Sequence, residues 1–178
     1  MGMVKNMYIK ELKTELIIHD VPEHERHKSM ILSLIDEIPN NPFEDISKTD
    51  WNLPKTFERK YLEYFYKHVS CYMMGEQQKY RNAKKWEING GWFQQYNENS
   101  SHCYHNHPKT NLTNVYFVEL PDTNFKTSIL IGGKEYEYKV KEGQIITFPG
   151  HILHSSKPNS NSNKRKTVVA FNSEFYHC

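Results

Sequence analysis

No stretch of this sequence is apolar for long enough to span a membrane, and its start, MGMVKNMYIKEL, has no signal-peptide core. Position 6 is not Ser or Thr, so Gly2 does not open a myristoylation signal. Cysteine is scarce. Cys71, Cys103 and Cys178 are odd in number and lack CxxC spacing, which argues against a disulfide scaffold and for a reducing, cytoplasmic setting. Cys103 lies near a group of histidines and is read as a small buried hydrophobe ahead of a ligand. Charge of one sign is not concentrated either: the net charge is +2, with basic and acidic residues interleaved. Lys79-Tyr80-Arg81 with Lys84-Lys85 is the nearest thing to a basic patch, and a solvated face accounts for it, so no nucleic-acid partner is indicated. There is no internal repeat. The only low-complexity piece, residues 155–163, reads as a polar loop. Asn, Lys, Ile and Tyr richness points to an AT-rich genome, as in a phage or marine bacterium, and hence to a bacterial or phage-infected host cytoplasm.

What remains is a chain of 178 residues, the size of one domain spanning 1–178. Its mean hydropathy is low, −0.81. The 13% of aromatic residues offset this, because each buried ring removes on the order of 150–250 Å² from water. Short apolar bursts at Met7-Tyr8-Ile9 and Leu16-Ile17-Ile18 suggest early strands. Asp20-Val21-Pro22-Glu23 reads as a helix start, and Ile31, Leu34, Ile35 and Ile38 recur at helical spacing until Pro39. Residues 40–54 read as a loop. A second helix is expected over 55–74, with Phe57, Tyr61, Phe65, Val69 and Met73 as a core-facing stripe.

From Trp86 onward the pattern changes to short β-branched and aromatic segments, punctuated by turn residues: 86–96, 112–120, 127–131, 136–140, 144–148 and 167–171. The expected class is mostly β with flanking helices, in a sandwich or barrel.

Of ten histidines most lack a partner pattern. His105-Asn106-His107-Pro108 differs, because residues i and i+2 of a strand share a face and two imidazoles can converge on one ion. A second element runs from Gly143 through an apolar strand and the Pro149-Gly150 turn to His154, which can return a third ligand to the first two. Three protein ligands leave open coordination positions, as a catalytic site requires. His102 has the wrong parity for the same strand face and His151 sits in the turn, so neither is preferred. After the polar loop, Arg165 and Thr167 share a strand face and are suited to clamp one carboxylate.

In order and spacing these elements resemble the Fe(II)/2-oxoglutarate-dependent oxygenases, in particular a small bacterial and phage branch with an H-x-H-P motif. The resemblance covers residues 86–172: Tyr96-Asn97, His105-Asn106-His107-Pro108, the strand from Leu112 to Pro121, Gly143 to Pro149, His154, and Arg165 to Asn172. It implies a double-stranded β-helix (a jelly-roll, cupin-like barrel), with the N-terminal helices of about residues 20–75 packed on one sheet. It implies Fe(II) on His105, His107 and His154, with His107 standing where most members carry Asp or Glu. Arg165 with Thr167 fits the family's clamp on the far carboxylate of 2-oxoglutarate, although counting back from Phe171-Asn172 favours Lys166. Asn97, Asn114 and Tyr116 are candidates for supporting the ligands. The activity implied is hydroxylation of a C–H bond in a small-molecule or peptide substrate, with 2-oxoglutarate converted to succinate and CO₂. Two other readings compete: a metal cupin (an isomerase or a co-substrate-free dioxygenase), whose glutamate ligand is missing near Asn111-Leu112, and a non-catalytic jelly-roll binding protein. Substrate and oligomeric state stay open.

Overall fold

The apolar segments from Trp86 onward fold into strands, of which the central ones, β5 and β10 among them, are buried on both sides. In the computed structural model, residues 13–136, 138–159 and 163–178 are described; Met7-Tyr8-Ile9 lies outside them. In chain order the elements are β1 (Ile17–Asp20), α1 (His24–Asp36), β2 (Lys48–Thr49), α2 (Lys60–Phe65), a π-helical turn (Tyr66–Ser70) and α3 (Cys71–Tyr80). They continue with β3 (Lys85–Tyr96), β4 (His102–His105), β5 (Leu112–Glu119), β6 (Thr127–Ile131), β7 (Lys134–Tyr136), β8 (Gln144–Pro149), β9 (Leu153–Ser156) and β10 (Lys166–Tyr176). Two antiparallel sheets result, of six strands in the order β1-β8-β5-β10-β3-β2 and of four in the order β4-β9-β6-β7. The expected mostly-β class with flanking helices holds at this level.

The helices cover one face of the larger sheet. The predicted stripe is buried as expected: Tyr61, Phe65, Val69 and Met73 pack with Ile31 and Ile35 of α1 against Phe93, Tyr116, Val169 and Phe171. The opposite face carries Tyr96, Val115, Phe117, Ile146, Phe148 and Val168, which share a second core with Ile129 of the smaller sheet. A buried polar chain crosses the helix side. The Gln77 amide donates to Thr147 Oγ1, whose hydroxyl donates to Asn114 Oδ1, and Asn114 Nδ2 donates to the Phe171 carbonyl and Ser173 Oγ. It ties α3 to β8, β5 and β10 and leaves no member unpaired.

Several boundaries differ from the sequence reading. Asp20 belongs to β1, and α1 starts after Glu23, which takes a left-handed conformation without capping the helix. The second helical run begins at Lys60 and ends at Tyr80, later at both ends than 55–74. β7 covers Lys134–Tyr136 rather than 136–140, immediately after the Gly132-Gly133 turn, whose positive φ angles of 57° and 76° suit glycine. β9 is a strand the sequence reading lacks, and the strand expected to carry both His105 and His107 is β4, which ends at His105.

Residues 40–54, read as a loop, hold the β2 strand and a buried ion pair. Asp50 is fully buried and accepts hydrogen bonds from the Phe93 backbone N–H (3.0 Å), Tyr61 Oη (2.7 Å) and Arg59 Nε (2.8 Å). Arg59 also donates to the carbonyls of Asp50, Leu53, Pro54 and Phe57. This cluster joins the loop, α2 and β3 at one point. Removing one partner of a buried pair leaves the others desolvated and unpaired, so Asp50→Ala is expected to cost about 3–5 kcal/mol in urea unfolding. A loss below about 1 kcal/mol would place the cluster among exposed pairs of little consequence.

Candidate metal centre

His105 ends β4, His107 follows it in the HxHP turn, and His154 lies in β9, directly opposite His105 in the ladder. The three rings converge: each offers one nitrogen, and these lie within 4.8 Å of one another. Ring centroids are 4.3 Å apart for His105 and His154, 5.0 Å for His107 and His154, and 5.3 Å for His105 and His107.

The HxHP turn is held by the Pro-Gly turn that the sequence placed before His154. The His107 N–H donates to the Gly150 carbonyl at 2.7 Å, and the Gly150 N–H to the Asn111 carbonyl at 2.9 Å. No side chain fits at Gly150, because a Cβ there would meet the Thr110 carbonyl at 2.5 Å and the His107 carbonyl at 2.9 Å.

Each of the three imidazoles has an oxygen acceptor at Nδ1. These are the Cys103 carbonyl for His105 (2.9 Å), Asn172 Oδ1 for His107 (2.6 Å) and the Ile152 carbonyl for His154 (3.0 Å). A carbonyl can only accept, so the proton sits on Nδ1 and the lone pair is left on Nε2. Burial keeps all three rings neutral, pushing His154 down to about 3 and lowering His105 and His107. Three neutral imidazoles with fixed tautomers suit Fe, Zn, Cu or Ni, and outer partners of this kind accompany metal-bound histidine generally.

The clamp is placed differently from the sequence reading. Arg165 Nε and Nη2 donate to Glu119 at 2.8 and 3.2 Å, Nη1 lies 3.8 Å from Asp36 at the end of α1, and Thr167 Oγ1 bonds Glu119 too. Arg165 and Thr167 do share a face, but it is the helix face, and their carboxylate partner is within the chain. The pocket that contains the histidines receives Lys166 instead. Lys166 is buried, donates to Ser156 Oγ at 2.8 Å and lies over the Tyr96 ring at 4.9 Å; burial lowers its ammonium to about 7. Nearby, Thr113 Oγ1 is buried without a hydrogen-bond partner.

Other candidates fall away from the centre. Asn114 and Tyr116 face the helices, where Tyr116 Oη meets His24 Nδ1 at 2.7 Å, and the Asn97 side chain is exposed. Cys103 is exposed, contrary to its reading as a buried hydrophobe, and serves through its carbonyl. Asn172 and Thr113 went unrecognised; only the alternation of their strands placed them on the pocket face. Outside the inner pocket a groove of about 250 Å³ is lined by Phe43, Trp51, Trp92, Gln94, Asn106 and two of the three histidines, His105 and His107.

No protein-family model matches the chain, and no curated protein matches it in sequence. Solved structures do match in three dimensions. An oxidoreductase of the 2OG-Fe(II) oxygenase family from Burkholderia pseudomallei aligns with a TM-score of 0.67 at 13% identity, covering 91% of this chain and 86% of that one. The viral collagen prolyl hydroxylase of Paramecium bursaria Chlorella virus-1, in its 2OG complex, aligns at 0.58 and 12% identity over 90% and 95%. A prolyl-4-hydroxylase from Pseudomonas putida aligns at 0.56 and 13% identity over 92% of each chain. The chain therefore shares its fold with solved 2-oxoglutarate/Fe(II) oxygenases.

Proposed function

We propose that this chain, as one domain with its two sheets forming a double-stranded β-helix, is an Fe(II)- and 2-oxoglutarate-dependent oxygenase. One observation carries the reading: a buried lysine and three imidazoles with free Nε2 lone pairs line one pocket. His105, His107 and His154 would hold the metal, and Lys166 would take the far carboxylate of the keto acid. The chemistry of the donors fits. The inner pocket contains no aspartate or glutamate, one ammonium group, and the unpaired hydroxyl of Thr113, so it offers charge and hydrogen bonds to an anion. An ammonium has three donors, and Ser156 uses one. The free space there, about 20 Å³, is of water size, so the side chains must part to seat a five-carbon acid.

The metal and keto acid together supply the oxidation, in which O₂ hydroxylates a C–H bond while 2-oxoglutarate becomes succinate and CO₂. The protein holds and orients. Its Nδ1 hydrogen bonds fix the ligand rings, Lys166 neutralises one carboxylate, and the apolar walls of Val115, Val168 and Ala170 keep water out. The groove beside the histidines would receive a small molecule or a peptide side chain. The prolyl hydroxylases among the solved relatives make a peptide one candidate class.

Titration of the anaerobic apoprotein with Fe(II) and then 2-oxoglutarate is expected to give one metal per chain and the visible charge-transfer absorption of a keto-acid chelate. His105→Ala or His154→Ala should lose the metal. Lys166→Ala should weaken the keto acid on the order of 10–100-fold, the worth of a charge-assisted hydrogen bond of about 1.5–3 kcal/mol. Arg165→Ala should leave it unchanged. Metal binding without any chelate absorption would favour the cupin reading, and metal binding unaffected by the histidine substitutions would exclude this site.

The pH dependence has a defined sign. A carboxylate stabilises protonated Lys166, so binding takes up a proton once the free lysine, near 7, has begun to lose it. The dissociation constant of 2-oxoglutarate should be flat below that point. Above it the constant should rise by up to about tenfold per pH unit, a slope absent in Lys166→Ala.

A further inference from the structure

A fourth histidine enters the same pocket. His102 stands three residues before His105, the wrong parity for a regular strand. In the ladder His102 pairs with Ser156 and His105 with His154, so two residues of β4 face one of β9 between the pairs. This bulge returns His102 to the pocket side, an effect bulges commonly have beside functional sites. Its ring stacks on His105 with centroids 4.0 Å apart and lines both the inner pocket and the groove.

Its hydrogen bonding is opposite to that of the three putting Nδ1–H on oxygen. Tyr96 Oη donates to Gln94 Oε1 at 2.9 Å. With its oxygen so engaged, the Gln94 amide turns its NH₂ toward His102 Nδ1, 3.2 Å away. Nδ1 of His102 therefore accepts, and its proton resides on Nε2. Gln94 and Tyr96 are buried, so water does not compete for these bonds.

We propose that His102 is not a metal ligand but a fixed hydrogen-bond donor, presenting Nε2–H to an oxygen of the bound keto acid, with its tautomer set by Gln94, itself oriented by Tyr96. The assignment rests on the keto-acid reading of the pocket. It divides four adjacent histidines by one criterion: an oxygen at Nδ1 makes a ligand, and an amide N–H at Nδ1 makes a donor.

Two measurements test it. In protein loaded with Zn(II), long-range ¹H–¹⁵N correlation of the histidine rings should show the His102 proton on Nε2, and those of His105, His107 and His154 on Nδ1. A His102 proton on Nδ1 overturns the proposal. In the anaerobic Fe(II) protein, His102→Ala should weaken 2-oxoglutarate roughly tenfold while Fe(II) affinity stays at the parent value; a neutral hydrogen bond of about 1 kcal/mol sets the lower end of that loss. His102→Gln, which keeps an N–H donor, should restore part of it, and Gln94→Leu should lose affinity with the metal retained. A loss of Fe(II) affinity in His102→Ala would make His102 a ligand and overturn the proposal. A parent protein that binds no keto acid overturns the oxygenase reading itself, whereas a parent and His102→Ala that bind it equally overturn only the donor role.

Discussion

Because the central strands are buried on both sides, their two-residue period decides which side chains meet the helices and which meet the metal centre. On β10 this sorts Thr167, Val169 and Phe171 to the helix side and Lys166, Val168 and Ala170 to the pocket. A shift of one residue would exchange the two sets. Both cores hold the register: Phe171 and Val169 are fully buried against the helices, and Val168 is buried with Phe117. Hydrophobic packing thus determines that an ammonium and not a guanidinium reaches the pocket. Arg165 is held at the strand's mouth by Glu119 and Asp36.

The electrostatics of the centre follow from that placement. A buried lysine without a carboxylate partner is costly, and among the described residues the cost is eased by Ser156 and the faces of Tyr96 and Phe117. Three imidazoles add no negative charge, so a divalent ion bound there keeps its full +2 beside Lys166. Where the third ligand is an aspartate, one of those charges is cancelled within the protein. On the proposed reading the compensating charge would come from the dianionic keto acid, whose carboxylates would offset both the metal and Lys166. The same absence of carboxylate predicts a metal held less firmly alone than with its co-substrate.

How far the sequence revealed this depended on whether the strands ran regularly. The stripe at Tyr61, Phe65, Val69 and Met73 and the strand over 127–131 follow from fixed periods; the three histidines converge as expected, but His107 does so from the turn after β4 rather than from a shared strand face. Errors gather where a period is broken or supplied from elsewhere. His102 was set aside on parity, and the β4 bulge restores it. β9 was missed because Leu153-His154-Ser155-Ser156 is short and polar, yet it pairs on both sides. Asp50 looked like loop composition because its partners, Arg59, Tyr61 and Phe93, come from later segments. Arg165 and Lys166 adjoin at the strand's start, where motif spacing and register gave different answers; burial of the whole strand decides between them.

The competing cupin reading meets a physical difficulty in this geometry. A metal acting without an anionic ligand gives Lys166 no task, yet the lysine is buried, desolvated and hydrogen-bonded to Ser156 in the pocket that the histidines line. A methionine or leucine at that position would fill the space among Tyr96, Phe117 and Val168 without the desolvation cost of a cation. A binding protein with incidental histidines meets the same objection, and adds a second: it gives no reason for all three converging rings to have an oxygen acceptor at Nδ1. The lysine and the tautomers are both explained by a ligand with one carboxylate at the ammonium and oxygen donors at the metal, which is the chemical description of a 2-oxo diacid.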